Sequence, residues 1–226
     1  MAKHGKRFRG DIDKVDRDKA YPLDQAVKFI KTFKDTKFDQ SVELCLNLGI
    51  DAKQADQAIR GAVSLPHGIG ASKRVIAFCP PDKVDEAKAA GAVEAGGEDL
   101  VKKIEEGWMD FDVAVATPDM MRVISKLGRV LGPRGLMPSP KAGTVSPEVD
   151  QTVRDYAAGK VEFRNDKDGN VHAVIGKKSF EEKQLEDNAT HFIDMIRKMR
   201  PSSTKGHYIR KISMSATMTP GVQVEA

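Results

Sequence analysis

The sequence has 226 residues, of which 40% are hydrophobic and 31% are charged, with a formal net charge of +4 at pH 7. This size and balance indicate a globular protein of one large or two modest domains, each able to bury a core. Because no apolar run approaches the roughly 20 residues of a membrane helix and the basic N-terminus lacks the apolar segment of a secretory signal, we expect a cytoplasmic protein without a membrane partner.

Residues 1–20 alternate Lys and Arg with Asp and contain few apolar groups. We predict an arm that is ordered only against a partner, with a basic cluster at Lys3, Lys6, Arg7 and Arg9. The alternative is a terminus without a role, which is common in proteins.

A helix and two strands are predicted next. Pro22 stands where a helix can begin, and apolar residues from Leu23 to Phe33 recur at helical spacing. Apolar and polar residues then alternate from Phe38 to Leu48, which predicts a strand covered on one face. Residues 59–65 predict another strand, which the segment from Pro66 to Gly70 ends.

The middle of the chain has a different pattern. Short continuous apolar runs at 74–79 and 111–116 alternate with helical segments at 83–90 and 98–106, and a short strand is predicted at 92–94. This alternation predicts a parallel sheet covered on both faces. A last helix is predicted from Val149 to Ala158.

The first pattern returns from Lys160 onward. Alternation around Asp168, Gly169 and Asn170 predicts a β-hairpin. Ser179 and Glu182 have the spacing of a capping box before a helix that Pro201 ends. Residues 207–218 predict a final strand.

We therefore predict α/β and α+β architecture in two domains. A split α+β domain comes from both chain ends, residues 1–66 and 160–226, and a Rossmann-like parallel α/β domain is inserted at 67–159. The chain crosses between them twice, which predicts a hinge at Pro66, Gly68 and Gly159. The alternative is a single mixed domain.

Charge divides along the same line. Residues 67–159 hold 12 Lys and Arg against 14 Asp and Glu, whereas the remainder holds 25 against 19. Two stretches, 120–147 and 195–224, contain basic residues and no acid. They favour a polyanionic partner such as nucleic acid that is contacted in two places, over a merely solvated basic face.

The stretch from Gly128 to Thr144 is rich in glycine and proline, which predicts an ordered loop without a regular helix or strand and with bare backbone N–H groups. With Arg129, Arg134 and Lys141 it could bind phosphate. A connector built of turn residues is an equal alternative.

The sequence gives little support to a catalytic function. The five histidines are scattered, no metal-ligand spacing is present, and no nucleophile or mononucleotide motif occurs. Cys45 and Cys79 are predicted to be small buried residues of a reducing compartment. We predict no catalytic residue, no metal and no cofactor, and the alternative is a nucleotide- or phosphometabolite-binding enzyme that uses the inserted domain.

RNA-binding features are concentrated in the split domain. Lys37 and Phe38 place a cation beside an aromatic ring, which can neutralise phosphate and stack on a base. The turn at 164–170 offers amide and cationic donors. The strand end at 213–218 carries short hydroxyls that suit ribose 2′-OH contacts. Each also has an ordinary structural explanation.

Several motifs together resemble the L-one family of large-subunit ribosomal proteins of bacterial type. They cover essentially the full chain in order, namely Phe38 with Val42-Glu43 and Asn47-Leu48-Gly49-Ile50-Asp51, then Ser64-Leu65-Pro66-His67-Gly68, Leu131-Gly132-Pro133-Arg134-Gly135-Leu136-Met137-Pro138 with Gly143-Thr144-Val145, Phe163-Arg164-Asn165-Asp166-Lys167, and Thr217-Met218.

The resemblance implies a structural constituent of the large subunit that is monomeric within the ribosome and contacts other ribosomal components. The split domain would bind rRNA at the mobile stalk, and the inserted domain would assist release of deacylated tRNA from the exit site. Family members also repress translation of their own operon mRNA. The rRNA-binding residues carried over are Lys37, Phe38, Ser41, Asn165, Lys167, Thr217 and Met218.

One position departs from the family pattern. Thr219 stands where the family usually has Gly after the Thr-Met pair. If RNA approaches this backbone closely, the added side chain would weaken or re-angle the contact.

Overall fold

A computed structural model describes residues 5–16, 18–54 and 56–225. Contacts divide the chain into a terminal unit, Met1–Gly70 with Val161–Ala226, and an inserted unit, Ala71–Lys160. The domain ranges expected from the sequence differ from this division by four residues at the first crossing and by one at the second. The description of the inserted part as an independent domain stays a prediction.

The helices and strands follow in chain order. They are α1 Lys6–Ile12, α2 Leu23–Thr32, β1 Ser41–Leu48, β2 Arg60–Val63, β3 Val75–Phe78, α3 Val84–Ala89, β4 Glu94–Gly96, α4 Glu98–Glu105, β5 Val113–Ala116, α5 Met121–Ile124, α6 Gly128–Leu131, α7 Val149–Ala157, β6 Val161–Arg164, β7 Asn170–Lys177, α8 Glu182–Lys198, β8 Ile209–Ala216 and β9 Val222–Val224, with short 3₁₀ turns at Pro81–Lys83, Pro118–Met120, Ser125–Leu127 and Pro140–Ala142.

The terminal unit is built on an antiparallel sheet of four strands in the order β7-β1-β8-β9. Strand β1 has the predicted alternation, because Val42, Leu44, Leu46 and Leu48 are buried and the residues between them are not. Helices α2 and α8 cover the apolar face, where their own stripes join the same core. The opposite face of the sheet is polar.

The inserted unit contains a parallel sheet in the order β4-β3-β5. All four residues of β3 are buried, as a continuous apolar run predicts for a strand covered on both faces. Together the two sheets confirm the predicted combination of α/β and α+β architecture.

The prediction that residues 1–20 form an arm ordered only against a partner was wrong for its described part. Helix α1 is tied to the terminal unit through Asp11, which is 1% exposed. Its carboxylate accepts the backbone N–H of Lys34 at 3.3 Å and the ammonium of Lys14 at 3.1 Å. Val15 is also buried. Lys3 lies outside the described residues.

The predicted hairpin is also different from the structure. Strands β6 and β7 belong to separate sheets, because β6 pairs with β2 and β7 pairs with β1. An isolated bridge between Asn165 and Val171 joins them. The capping of α8 also differs from the prediction. The backbone N–H of Glu181 donates to the Gln184 side chain at 3.0 Å, whereas the Ser179 hydroxyl bonds to Asp39 at 2.7 Å.

The segment after β2 is held by α8. Asn188 is fully buried, and its amide nitrogen donates to the carbonyls of Gly68 and Ile175 at 2.9 and 2.8 Å. Its oxygen accepts the backbone N–H of His67 at 3.1 Å. Residues 67 and 68 therefore belong to the terminal unit, and the hinge at Pro66, Gly68 and Gly159 stays a prediction.

We expect Asn188→Leu to lower the free energy of unfolding by about 1–3 kcal/mol, because a buried carbonyl loses its donor. Denaturant unfolding monitored by circular dichroism measures this change. His191→Ala, an exposed position of the same helix, is the control and should stay within about 0.5 kcal/mol of the original protein. Equal stability of both variants would contradict the structural role of Asn188.

A second expectation concerns Tyr208, whose buried hydroxyl has no partner among the described residues. Burial raises the pKa of this phenol from its ordinary value to about 12. As the pH rises, the unfolded chain loses this proton before the folded chain does. The stability of the folded state that depends on the protonated phenol is therefore fully present below about pH 10 and is lost as the pH rises through the folded pKa.

Tyr208→Phe should therefore be at least as stable as the original protein at pH 8 and should gain a relative advantage at pH 11. Chemical unfolding at both pH values measures the difference. Tyr21→Phe is the matched control, because the Tyr21 hydroxyl accepts the backbone N–H of Asp16 at 3.2 Å, and we expect it to be destabilising at pH 8. A pH-independent difference for Tyr208→Phe would refute the burial argument.

Candidate nucleic-acid interface

One group of predicted residues meets where β1 begins and β8 ends. The backbone N–H of Thr217 donates to the carbonyl of Ser41 at 3.1 Å, and the N–H of Ser41 donates to the Thr217 hydroxyl at 3.1 Å. Lys177, opposite Ser41 on β7, donates to the Ser41 hydroxyl at 2.9 Å. Ser41 and Thr217 thus form one polar cluster, to which the structure adds Lys177.

Lys37, Phe38 and Met218 lie beside this cluster. The backbone N–H of Met218 donates to the Gln40 side chain at 3.0 Å, which ties the end of β8 to the segment before β1. Phe38 and Met218 are 53% and 49% exposed, unlike the aromatic and aliphatic residues of the core. Lys37 is exposed and makes no ion pair with any residue that the structure describes. A cation and two exposed apolar side chains therefore stand together.

Lys178 anchors the segment that carries Lys37 and Phe38. Its ammonium donates to the Phe33 carbonyl at 2.5 Å and to Asp35 at 2.6 Å. The hydrogen bond between Lys178 and Asp35 holds the pKa of the Asp35 carboxyl below its usual value. Lys178 is buried and paired with Asp35. Lys37 is an exposed cation beside a surface cavity of about 510 Å³, whose lining also includes the carboxylates of Asp35 and Asp39.

Asn165 and Lys167 lie at the other end of the sheet. The register pairs Ser41 with Lys177 and Asn47 with Asn170, so the turn after β6 is near the far end of β1. A strand of eight residues spans about 25 Å at 3.2–3.4 Å per residue. The structure thus separates the seven predicted residues into two groups and brings only five of them together.

The two residues of the distant group differ in role. Asn165 accepts the backbone N–H of Ile59 at 2.8 Å, which is a structural task. Asp166 holds the turn by accepting the Asn170 side-chain amide at 3.0 Å and the backbone N–H groups of Asn170 and Asp168 at 2.7 and 2.9 Å. These hydrogen bonds, that of the Asn170 side chain first, hold the pKa of Asp166 below its usual value. Lys167 is exposed at the tip. It is the residue of this group that is available to a ligand.

The polar face of β1 connects the two groups. Glu43 is exposed on this face, and Ser215 lies opposite it on β8. Cys45 pairs with Ser213 on one side and His172 on the other. Burial raises the pKa of the Cys45 thiol, so this thiol is uncharged at neutral pH. The face therefore offers short hydroxyls along its length.

Sequence reasoning did not select Glu43, Lys177 or His172 as site residues. The strand alternation itself is a signal that could have found Glu43. Once Val42 and Leu44 are assigned to the core, Glu43 must point to the opposite face. Lys177 and His172 follow only when the pairing of β7 with β1 is known, and that pairing is a tertiary fact.

The loop from Gly128 to Thr144 is more regular than predicted, since it contains α6 and a 3₁₀ turn. Many of its backbone N–H groups are also used internally. Gly135 and Leu136 donate to Gly132 and Leu131 at 3.0 Å, and the Ser139 N–H donates to Thr144 at 2.8 Å.

Leu131 is buried, which explains why a short helix precedes the first proline. The prediction of bare N–H groups was wrong for Gly135, Leu136 and Ser139, whose N–H groups are used within the loop. Arg129, Arg134 and Lys141 are exposed, so they are the part of the loop that could contact an anion.

Thr219 is directed back into its own turn. Its hydroxyl accepts the backbone N–H of Ala216 at 2.9 Å, and its own N–H donates to the Ala216 carbonyl at 3.0 Å. The added side chain thus closes the turn behind Met218.

No cluster of three or more His, Cys, Asp or Glu suited to a metal ion occurs within residues 5–16, 18–54 and 56–225. Across the same ranges, none of the helices combines the length and apolar character needed to cross a membrane.

The sequence from residue 30 to residue 220 matches the model of the ribosomal protein L1p/L10e family. The chain belongs to this family. The large ribosomal subunit protein uL1 of Kosmotoga olearia is 49% identical over 225 residues, covering 100% of this chain and 97% of that protein. The protein of the same name from Thermus thermophilus is 48% identical over 225 residues, covering 99% and 98%.

Membership confirms the resemblance found in the motifs. The chain is a ribosomal protein that binds RNA and is not an enzyme. The alternative of a nucleotide- or phosphometabolite-binding enzyme was therefore wrong, and the parallel sheet of the inserted unit carries no catalytic implication of its own.

We expect Phe38→Ala to weaken binding to large-subunit rRNA by about 1–3 kcal/mol, because an exposed ring that stacks on a base contributes that much. Filter binding or fluorescence anisotropy measures the affinity. Val93→Ala is the control, since Val93 is 56% exposed in the inserted unit. Unchanged affinity of the Phe38 variant would remove Phe38 from the interface.

Proposed function

We propose that this protein is a structural constituent of the large ribosomal subunit and binds the rRNA of the mobile stalk through its terminal unit. The contact surface is formed by Lys37, Phe38, Ser41, Thr217 and Met218. It continues along the polar face of β1 to Asn165 and Lys167. The observation that carries the proposal is the exposure of Phe38 and Met218 beside Lys37.

Each part of this surface suits one component of RNA. The Phe38 ring can stack on an unpaired base, and Lys37 and Lys167 can neutralise phosphates. Ser213 and Ser215 are short enough to let a ribose approach the sheet, where a hydroxyl can bond to its 2′-OH. The Ser41 and Thr217 hydroxyls are already hydrogen-bonded to each other's strand or to Lys177, so their main task is to shape the surface.

The inserted unit supplies a second contact in this proposal. Arg129, Arg134 and Lys141 are exposed cations in a unit that is otherwise acidic. They would meet deacylated tRNA and assist its release from the exit site, with movement about Pro66, Gly68 and Gly159. The transient nature of that step agrees with contacts made by cations alone, which salt screens readily.

The same terminal surface would repress translation of the protein's own operon mRNA. A messenger that folds into the shape of the stalk rRNA offers the same unpaired bases and phosphates. Relatives named as large ribosomal subunit proteins cover the whole chain. This supports a place in the large subunit of the cytoplasmic ribosome, where we propose that the protein is a monomer among other ribosomal components.

Footprinting on large-subunit rRNA and on the protein's own messenger tests the proposal. Protection of one stalk segment in the rRNA and of a similar structure in the messenger is the expected result. Protection spread evenly over both RNAs would overturn a specific stalk site.

Salt dependence gives a residue-level prediction. Lys37→Met should lower the slope of log affinity against log salt by about 0.7–0.9, because the variant neutralises one phosphate fewer. Lys183→Met, an exposed cation on α8, removes the same charge elsewhere and should leave the slope nearly unchanged. Equal slopes for both variants would mean that Lys37 does not touch phosphate.

A further inference from the structure

A second cavity is lined in part by Met218. It has a volume of about 520 Å³ and is bounded by the start of α1 and the end of β8. Its walls include Lys6, Arg7 and Phe8 from one element and Thr217 and Met218 from the other. Two of these five residues already belong to the proposed rRNA surface, so the cavity is continuous with it.

Helix α1 is fixed in place beside the cavity. The buried carboxylate of Asp11 accepts the Lys34 N–H with both oxygens at 3.3 Å. Lys14 bonds to Asp11 and to the carbonyl of Thr32, each at 3.1 Å. These contacts join α1 to the end of α2 and to the segment leading to Phe38. The first turn of α1 and the Phe38 segment are therefore parts of one structure.

The chemistry of the lining suits a nucleotide. Lys6 and Arg7 are cations, and none of the described residues that line the cavity carries a carboxylate. Phe8 and Met218 supply an aromatic ring and a thioether, which pack well against a flat base. The volume lies within the roughly 300–1,000 Å³ of small-molecule sites. Cations beside apolar flat surfaces are what one phosphate and one base require.

We propose that this cavity binds one nucleotide of the stalk RNA, with its base against Phe8 and Met218 and its phosphate at Lys6 and Arg7. The inference rests on the proposed function and extends it, because it makes α1 a binding element. Met218 then stands between two nucleotide positions, one at Phe38 and one at Phe8.

The test uses the full chain with Lys6→Gln and Arg7→Gln combined. These side chains are exposed or half-buried, so the fold should be retained, which thermal unfolding checks. We expect affinity for the stalk rRNA fragment to fall about 10- to 100-fold, and the salt slope to fall by about 0.7–0.9 for each phosphate that the variant no longer neutralises. Lys183→Gln with Lys198→Gln removes two exposed charges from α8 and is the matched control.

Hydroxyl-radical footprinting of the same RNA locates the effect. The combined α1 variant should lose protection at one or two nucleotides and keep the protection that depends on Phe38. Unchanged affinity, slope and footprint would overturn the inference, including the case in which another ribosomal protein fills the cavity. If Phe38→Ala also left binding unchanged, the proposed function itself would fail, so the two failures are distinguishable.

Discussion

The pairing of Ser41 with Thr217 is the interaction on which the binding surface depends. It joins positions 176 residues apart through backbone and hydroxyl hydrogen bonds. A parallel bond from Met218 to Gln40 extends the join by one residue on each side. These hydrogen bonds fix the positions of the backbone segments that carry the exposed side chains. A surface with fixed positions loses less conformational entropy when RNA binds.

Strands of both the antiparallel and the parallel sheet could be predicted from the sequence because they obey simple periodicities. Alternation from Val42 to Leu48 identified the buried face, and the continuous run at 75–78 identified a strand covered on both sides. Helix α1 could not be predicted in this way. Its burial depends on one carboxylate, Asp11, that meets an N–H group 23 residues later in the chain. In the sequence it is one acid among many.

The candidate site shows the same limit. Residue type indicated that the turn at 164–170 and the strand end at 213–218 could contact RNA, and the family resemblance named Asn165 and Thr217 within them. In the structure, Asn165 supports Ile59 and the Thr217 hydroxyl supports Ser41. A polar side chain in a turn or at a strand end satisfies the local backbone first, and its partner is visible only after folding. Phe38 and Lys37 are better candidates because both are exposed: the Phe38 ring is not buried in the core, and Lys37 makes no ion pair with a described residue.

The order of the strands in the chain has a consequence for synthesis. The inserted unit is contiguous from 71 to 160, so all three of its parallel strands leave the translating ribosome before β7 and β8 exist. Strand β1 must wait for partners made more than 120 residues later. The RNA-binding surface is therefore completed only when Thr217 and Met218 have emerged, and a nascent chain that stops before them would lack it.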